Sequence, residues 1–275
     1  MTNAAMVDFS IRAYNRLLSV LICHGYVFQT FADFLVSPET KVIILRHDVD
    51  DRKENSLRFA EIEHASGVHG SFYFRIVPQS FDRELIRKIA GLGHEVGYHY
   101  ETMAVYDGNF ERAYDEFCHN LELFREIVPV KTISMHGSPL SKYDNRALWQ
   151  RYDYKKSGIT GEPYFDLDFD KICYLTDTGR CWDGDKFSVR DKPIRPEHNH
   201  SNSYNHFSTN IHTKSWPQYH STFDIISAIE SGTFPEQTMM TFHPQRWNDD
   251  NFEWVKELIV QNSKNILKQR FYVKI

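Results

Sequence analysis

The sequence has no long apolar run. Residues 17–23, the most continuous apolar stretch near the N-terminus, are far too few to cross a bilayer. No basic, then apolar, then small-residue succession of a secretory leader precedes them. Cysteine is scarce: Cys23, Cys118, Cys173 and Cys181 contain no C-x-x-C pair and match neither a zinc knuckle nor a dense disulfide framework. They read as reduced, mostly buried thiols, which suits a cytoplasmic protein. Positive charge is not in excess. Lys and Arg number 32 against 37 Asp and Glu, for a formal net charge of −5, so the electrostatic footprint of a nucleic-acid binder is missing. Phosphate-cradling glycines are absent as well. Neither G-x-G-x-x-G nor a Walker loop follows the first strand, which argues against a nucleotide-binding doubly wound sheet and a phosphate-dependent transferase. No repeat of 20–50 residues and no low-complexity linker divides the chain.

What is present is 275 residues of ordinary globular composition, 41% hydrophobic and 25% charged, enough for one large α/β core. Aromatic residues, at 15%, are on the high side and suit core packing first and a ligand-stacking cleft second. Apolar spacing predicts a helix from Asp8 to Gly25, and Asp8 is a candidate cap. Strands are predicted at 41–46 (KVIILR), 71–76 (SFYFRI), 94–99 (HEVGYH), 131–136 (KTISMH), within 164–177, and at 238–242 (TMMTF). Helices are predicted between them at 54–66, 82–90, 110–128, 145–152 and 223–231, with a last one at 252–268. Strand–helix alternation of this kind points to parallel βαβ units in an α/β fold. The reading is one domain over 1–275, closed or nearly closed into a barrel. It carries an N-terminal helix at about 8–24 and a long loop insertion at about 178–219. His198, His200, His206 and His212 crowd that insertion and read as solvated loop rather than a second metal site; Arg195-Pro196 shapes the same stretch. The lysines near the end of the last helix fit its dipole and solvation.

Polar residues gather where strands end. Asp48 and Asp50 follow the first strand and Arg75 ends the second. His99 and Glu101 end the third, His136 the fourth, Asp177 the strand at 174–176, and His243 the last. In a parallel barrel all strand C-termini open on one face, so these residues converge without being neighbours in sequence. Residues i and i+2 of an extended segment point the same way. Asp48 and Asp50 therefore face one point, as do His99 and Glu101, while Asp51 points away and is placed to cap the next helix. Two carboxylates beside a histidine suit a divalent ion such as Zn²⁺, Mn²⁺, Ni²⁺ or Co²⁺.

The runs Arg46-His47-Asp48-Val49-Asp50-Asp51, Gly93-His94-Glu95-Val96-Gly97-Tyr98-His99-Tyr100-Glu101 and Ser134-Met135-His136-Gly137 resemble the polysaccharide deacetylase family of NodB homology. More narrowly, the chain is similar to a divergent branch associated with bacterial O-antigen and surface-polysaccharide gene clusters. Residues 174–182 and Lys142-Tyr143-Asp144-Asn145 share that likeness, and the whole resemblance spans residues 26–268. It implies a distorted seven-stranded, TIM-like (β/α) barrel. It also implies a metal-dependent hydrolase that removes an N- or O-acetyl group from a sugar or glycan precursor. The family's first motif reads T-F-D-D-G, a base followed by a metal ligand. Asp48 stands at the base position, but the ligand position falls on Val49, so Asp50 is the nearest substitute. The second motif has two histidines four residues apart; His99 matches the first and Met103 stands at the other. Glu101 or His136 then completes the ligand set. His136-Gly137-Ser138-Pro139 stands where the family has an Arg and a Pro. Asp177 and Trp182 fall at its Asp and Trp motif, and His243 at its late general-acid histidine.

The resemblance thus implies one divalent ion, zinc first, with Asp48 as base, His243 as acid and Asp177 orienting His243 or an arginine. Tyr98, Tyr100, Trp182 and Trp216 are candidates to line a sugar cleft. Arg75 binds an acidic substrate group or pairs with a site carboxylate. Two rival readings stand beside this one: a hydrolase of another C–N amide bond on the same scaffold, and a carbohydrate-binding or scaffolding protein without catalysis.

Overall fold

The computed structural model describes residues 6–183, 190 and 216–271, with the side chains of 267–271 left aside. The four histidines at 198–212 and Arg195-Pro196 lie outside the described residues. The chain runs α1 (Ile11–Cys23), β1 (Val27–Gln29), α2 (Phe31–Val36), β2 (Val42–Val49), α3 (Lys53–Ala65), β3 (Ser71–Phe74) and α4 (Arg83–Gly91). It continues with β4 (Glu95–Tyr100), α5 (Thr102–Val105), α6 (Phe110–Arg125), β5 (Ile133–Met135) and α7 (Pro163–Asp166). It ends with β6 (Cys173–Thr176), α8 (Thr222–Glu230), β7 (Gln237–Phe242) and α9 (Asn251–Phe271). Single 3₁₀ turns occupy Asn145–Gln150, Tyr154–Ser157 and Pro244–Arg246.

All strand pairings named are parallel, in the order β5-β4-β3-β2-β7-β6, and the sheet curls into an open barrel with helices around it. The (β/α) barrel expected from the sequence is thereby present. β1 pairs the first half of β2, through Val27 with Val42, and β3 takes over the same edge from Arg46 with Ser71. Between the outer strands β5 and β6, a bridge from Thr132 to Gly161 and the segment carrying the 3₁₀ turns fill the gap. β1 and α2 were not expected. Three residues of strand and six of helix are too short to show a period.

Every residue of β2 is buried, as a parallel strand covered on both faces must be. Its alternation sorts the two faces. His47 and Val49 look out toward the helices, among Phe59, Phe72 and Phe242. Val42 and Ile44 look inward and pack with Phe31 and Phe34 of α2, Tyr73 and Met239 to plug the barrel floor. The inward set then turns polar at Arg46 and Asp48 and reaches Asp50 at the mouth. Gly97 of β4 keeps this interior narrow, because a Cβ there would collide with the Tyr73 ring and the Thr132 carbonyl.

Capping departs from the sequence reading in two places. Ser10, not Asp8, caps α1; Asp8 instead accepts from the backbone of Phe9 and Thr222 (2.7 and 2.9 Å). Asp51 does not cap α3 either. The cap position passes to Arg52, whose backbone is left-handed (φ 48°), and Asp51 turns back to accept from the Arg52 N–H.

Candidate active site

The strand-end residues come together at one mouth. Asp48 is buried, and Arg46 grips both of its oxygens, Nε on Oδ1 at 2.8 Å and Nη2 on Oδ2 at 2.7 Å. The two residues are i and i+2 on the inward face of β2, so the strand's own alternation builds this pair. Two residues further on, Asp50 sits at the centre of three histidines. His99 Nε2 and His136 Nε2 lie 3.5 and 3.6 Å from its Oδ1, and His243 Nε2 lies 3.7 Å from its Oδ2. His99 Nε2 is also 3.6 Å from Asp48 Oδ2.

Each histidine is held from behind at Nδ1. His99 Nδ1–H donates to the Ser134 carbonyl at 3.0 Å, and His136 Nδ1–H to Glu101 Oε2 at 3.0 Å. His243 Nδ1–H donates to Asp177 Oδ1 at 2.6 Å. These acceptors hold Nδ1–H, so that a ring, when neutral, turns its Nε2 lone pair toward Asp50. That is the arrangement of metal-ligating histidines, whose second nitrogen is almost always bound to a carboxylate or a carbonyl.

Charge follows the geometry. Burial would raise the Asp50 carboxyl, but His136, His99 and His243 overturn that and hold it well below the usual range. Burial would lower His99; Asp48 and Asp50 raise it instead. Burial pushes Glu101 up, and His136 and Arg75 bring it down to about 2. Asp177, fully buried, is held low against its desolvation by Arg246 and His243. It accepts four bonds: from His243 Nδ1 and N, from Arg246 Nη1 at 2.7 Å and from Trp247 Nε1 at 2.8 Å.

The donor set can be tested against a divalent ion. Among the described residues no group of three or more His, Cys, Asp or Glu side chains is placed, as it stands, to hold a metal ion. The histidines nevertheless stand at 3.5–3.7 Å from Asp50, a few tenths beyond the ~3.3 Å edge of a tetrahedral shell with ~2.0 Å bonds. Asp50 Oδ1 is buried and accepts no hydrogen bond, and such an orphaned oxygen calls for an ion or a water. Imidazole nitrogen with one carboxylate is a zinc-type donor set. The chemistry of these donors suits such an ion, while their spacing would have to contract by a few tenths of an ångström to hold one.

The remaining candidates divide. Arg75 reaches the mouth but is committed to Glu101, with Nε on Oε1 at 2.9 Å and Nη2 on both oxygens at 2.7 and 2.8 Å. Glu101 therefore has both oxygens occupied and stands behind His136 rather than beside Asp50. Three residues expected to line a cleft lie in the core instead. Tyr98 stacks on Phe117 and accepts from Asn120. Tyr100 packs on Phe117 and accepts from Trp149 Nε1. Both point to the helix side of β4, opposite His99, as strand alternation requires. Trp182 packs on Phe242 and Trp247 and donates to Thr222. Trp216, half-buried, donates to the Phe169 carbonyl.

Other contributors had no role assigned from the sequence. Arg46 and Arg246 hold the two key carboxylates. Asn145 donates to the His136 carbonyl (2.7 Å) and to Ser138 Oγ, pinning the loop that carries His136. The spacing of Arg46 from Asp48 was a usable signal. Asn145 stands in the run at 142–145 that shares the family likeness, but no spacing tied it to His136, because the contact spans nine residues of irregular chain.

The mouth opens into a cleft of about 780 Å³. The fold is similar to that of family 4 carbohydrate esterases. One solved example, from Bacillus anthracis, shares 10% identity, with 90% of this chain and 84% of that chain covered and a TM-score of 0.41. A CE4 esterase from Streptococcus mutans shares 12% identity over 90% and 91% of the two chains, again with a TM-score of 0.41. That overlap is too loose to bear on function. No family model and no curated protein matches the chain.

Proposed function

We propose that this chain is a hydrolase that removes an N- or O-acetyl group from a sugar, using one divalent ion held by Asp50, His99 and His136. A precursor of a surface polysaccharide is the substrate class favoured by the resemblance at residues 46–51, 93–101 and 174–182. The observation that carries the reading is the set of three imidazole Nε2 atoms around the Asp50 carboxylate, two of them at its orphaned Oδ1, each ring fixed from behind.

A divalent ion at Asp50 would polarise the acetyl carbonyl and acidify a water molecule. The chain's own groups do the rest. Asp48 lines the cleft beside His99. A carboxylate offers about four acceptor sites and Arg46 takes two, so Asp48 keeps lone pairs with which to receive the water's proton. Arg46 also fixes the carboxylate's direction, which lowers the reorganisation the transfer needs. His243 lies on the far side of Asp50. Because Asp177 holds its Nδ1–H, a proton carried on Nε2 points toward the centre, where the leaving amine or alkoxide departs.

The test is acetate release from a panel of N-acetylated sugars, O-acetylated sugars and simple amides, with Zn²⁺, Mn²⁺, Co²⁺ or Ni²⁺ supplied. Turnover of an acetylated sugar that is lost on chelation and in Asp50→Ala supports the reading. Turnover confined to amides favours a different C–N hydrolase on this scaffold. No product with any metal would leave a sugar-binding protein without catalysis.

A further inference from the structure

The cleft has no aromatic side chain among its described lining residues. The rings that might have stacked on a sugar face, Tyr98, Tyr100 and Trp182, are spent in the core. What the wall offers is charge: Arg52, Arg75, Arg190, Arg246, Lys256 and Lys264. The acids on the same wall are mostly answered within the protein. Asp48 is gripped by Arg46 and Asp50 faces three histidines, while Glu257 makes no ion pair among the described residues. Asp51 accepts from the Arg52 backbone.

Five of the six cations are also engaged. Glu101 neutralises Arg75 and Asp177 neutralises Arg246. Arg190 caps the carbonyls of Gly137, Ser138 and Ser141. Arg52 reaches Glu253 at 3.0 Å, and Lys256 shares that one carboxylate at 3.5 Å. Lys264 makes no ion pair among the described residues. Among the described residues Glu253 is thus the one carboxylate paired with Arg52 and Lys256, and Lys264 is paired with none. The α9 side of the mouth presents two exposed lysines to the cleft in a chain whose formal net charge is −5.

The placement of these groups is regular. Lys256, Val260 and Lys264 line the cleft at i, i+4 and i+8 of α9, so the two lysines are set about 12 Å apart along one helix face. α9 is fastened across the mouth at both ends of this row. Arg52 holds Glu253 at one end, Arg180 stacks on Trp254 at 4.6 Å, and Asn265 donates to the Gly179 carbonyl at 3.0 Å at the other. The left-handed backbone at Arg52 is the turn that delivers its side chain to this edge.

We propose that the substrate is an anionic sugar, bearing a phosphate or carboxylate group, and that Lys256 and Lys264 of α9, with Arg52, bind that group at the mouth of the cleft. The inference rests on the reading of this cleft as a sugar site.

Calorimetric titration of the intact protein with glucose 1-phosphate, glucuronate and glucose tests it. At least one charged sugar should bind at least roughly tenfold more tightly than glucose. That binding should weaken roughly tenfold in Lys256→Ala/Lys264→Ala, whose side chains are both exposed. It should weaken again as salt is raised. A response to glucose 1-phosphate alone assigns phosphate; a response to glucuronate alone assigns carboxylate. Glucose binding as tightly as both charged sugars, no binding of either, or unchanged binding in the double variant would overturn the proposal. Titration needs no turnover, so its outcome separates from that of the hydrolase reading. Charged-sugar binding without acetate release from any substrate sinks only the hydrolase. Acetate release with no charge preference in binding sinks only the anion site.

Discussion

Replacing Glu101 by Gln and His136 by Ala distinguishes a carboxylate that orients a ligand from one that is a ligand. Glu101 Oε2 accepts from His136 Nδ1 at 3.0 Å, and its two oxygens take three contacts of 2.7–2.9 Å from Arg75. Gln keeps one neutral acceptor and turns an NH₂ toward the guanidinium, so either His136 or Arg75 loses its partner. Folding should cost about 1.5–3 kcal/mol, the range for hydrogen bonds to charged groups. The larger effect is expected on the ion. Removing the group behind a ligating histidine weakens metal binding 10–100-fold, or about 1.4–2.7 kcal/mol. His136→Ala removes a donor outright and should cost more than Glu101→Gln. Competition of Zn²⁺ between each variant and a chromophoric chelator gives both numbers, and excess Zn²⁺ should restore most of the turnover of Glu101→Gln. The reverse order, with His136→Ala near wild type and Glu101→Gln without tight binding, would refute the placement of Glu101 behind His136.

Three further outcomes are expected. Asp177→Asn leaves Arg246 buried without its counter-ion and should cost about 3–5 kcal/mol in denaturant unfolding. At a temperature where the variant stays folded, acetate release should fall by about 10²–10⁴ as His243 loses its fixed tautomer, and a loss under tenfold would contradict that role. Tyr100→Phe removes the acceptor of Trp149 Nε1 and should lower stability by about 1–2 kcal/mol with KM unchanged; a tenfold rise in KM would return Tyr100 to the cleft. Burial pushes Glu162 up to about 7, with Arg46 and Arg146 opposing the rise. A carboxyl raised in the fold contributes stability that is full below the ordinary value near 4.5 and is lost as pH climbs through 7. The stability difference between wild type and Glu162→Gln should therefore shift by about 3 kcal/mol against the wild type from pH 4.5 to 8, whereas a flat difference would show Glu162 ionised throughout.

The fold was legible where a period was long enough to read. KVIILR announced β2, and the spacing within residues 11–23 announced α1; β1 and α2, three and six residues long, offered no period. The strand-end rule placed Asp48, Asp50, His99, His136, Asp177 and His243 at one mouth, because parallel strands share a C-terminal face. It could not say which way the neighbours of those residues point. Tyr98 and Tyr100 flank His99, and their odd offset turns them to the helix side. Applied a second time, the alternation that paired Asp48 with Asp50 would have sent both tyrosines to the core. Trp182 follows irregular chain, so no period foretold its packing on Trp247.

The same distinction explains how His136, the residue after β5, reaches Asp50 while the residue four places after His99 does not. β4 ends at Tyr100 and the chain enters α5, whose first turn carries Met103 into the core. A side chain there faces away from Asp50 whatever its chemistry. Register offers another source. β5 pairs β4 with His99 opposite Ser134 and Tyr100 opposite Met135, and the bond from His136 N to the Tyr100 carbonyl (2.9 Å) continues the ladder by one residue. His136 is thereby set beside Glu101, with its ring 5.3 Å from that of His99. A spacing within one segment can be read from sequence, whereas a ligand pair made across two strands depends on a register that no local pattern states. The grouping of His99 and His136 at Asp50 is therefore built by strand pairing. A one-residue slip of β5 would turn His136 to the helix side and remove it from Asp50, while leaving every motif in the sequence intact.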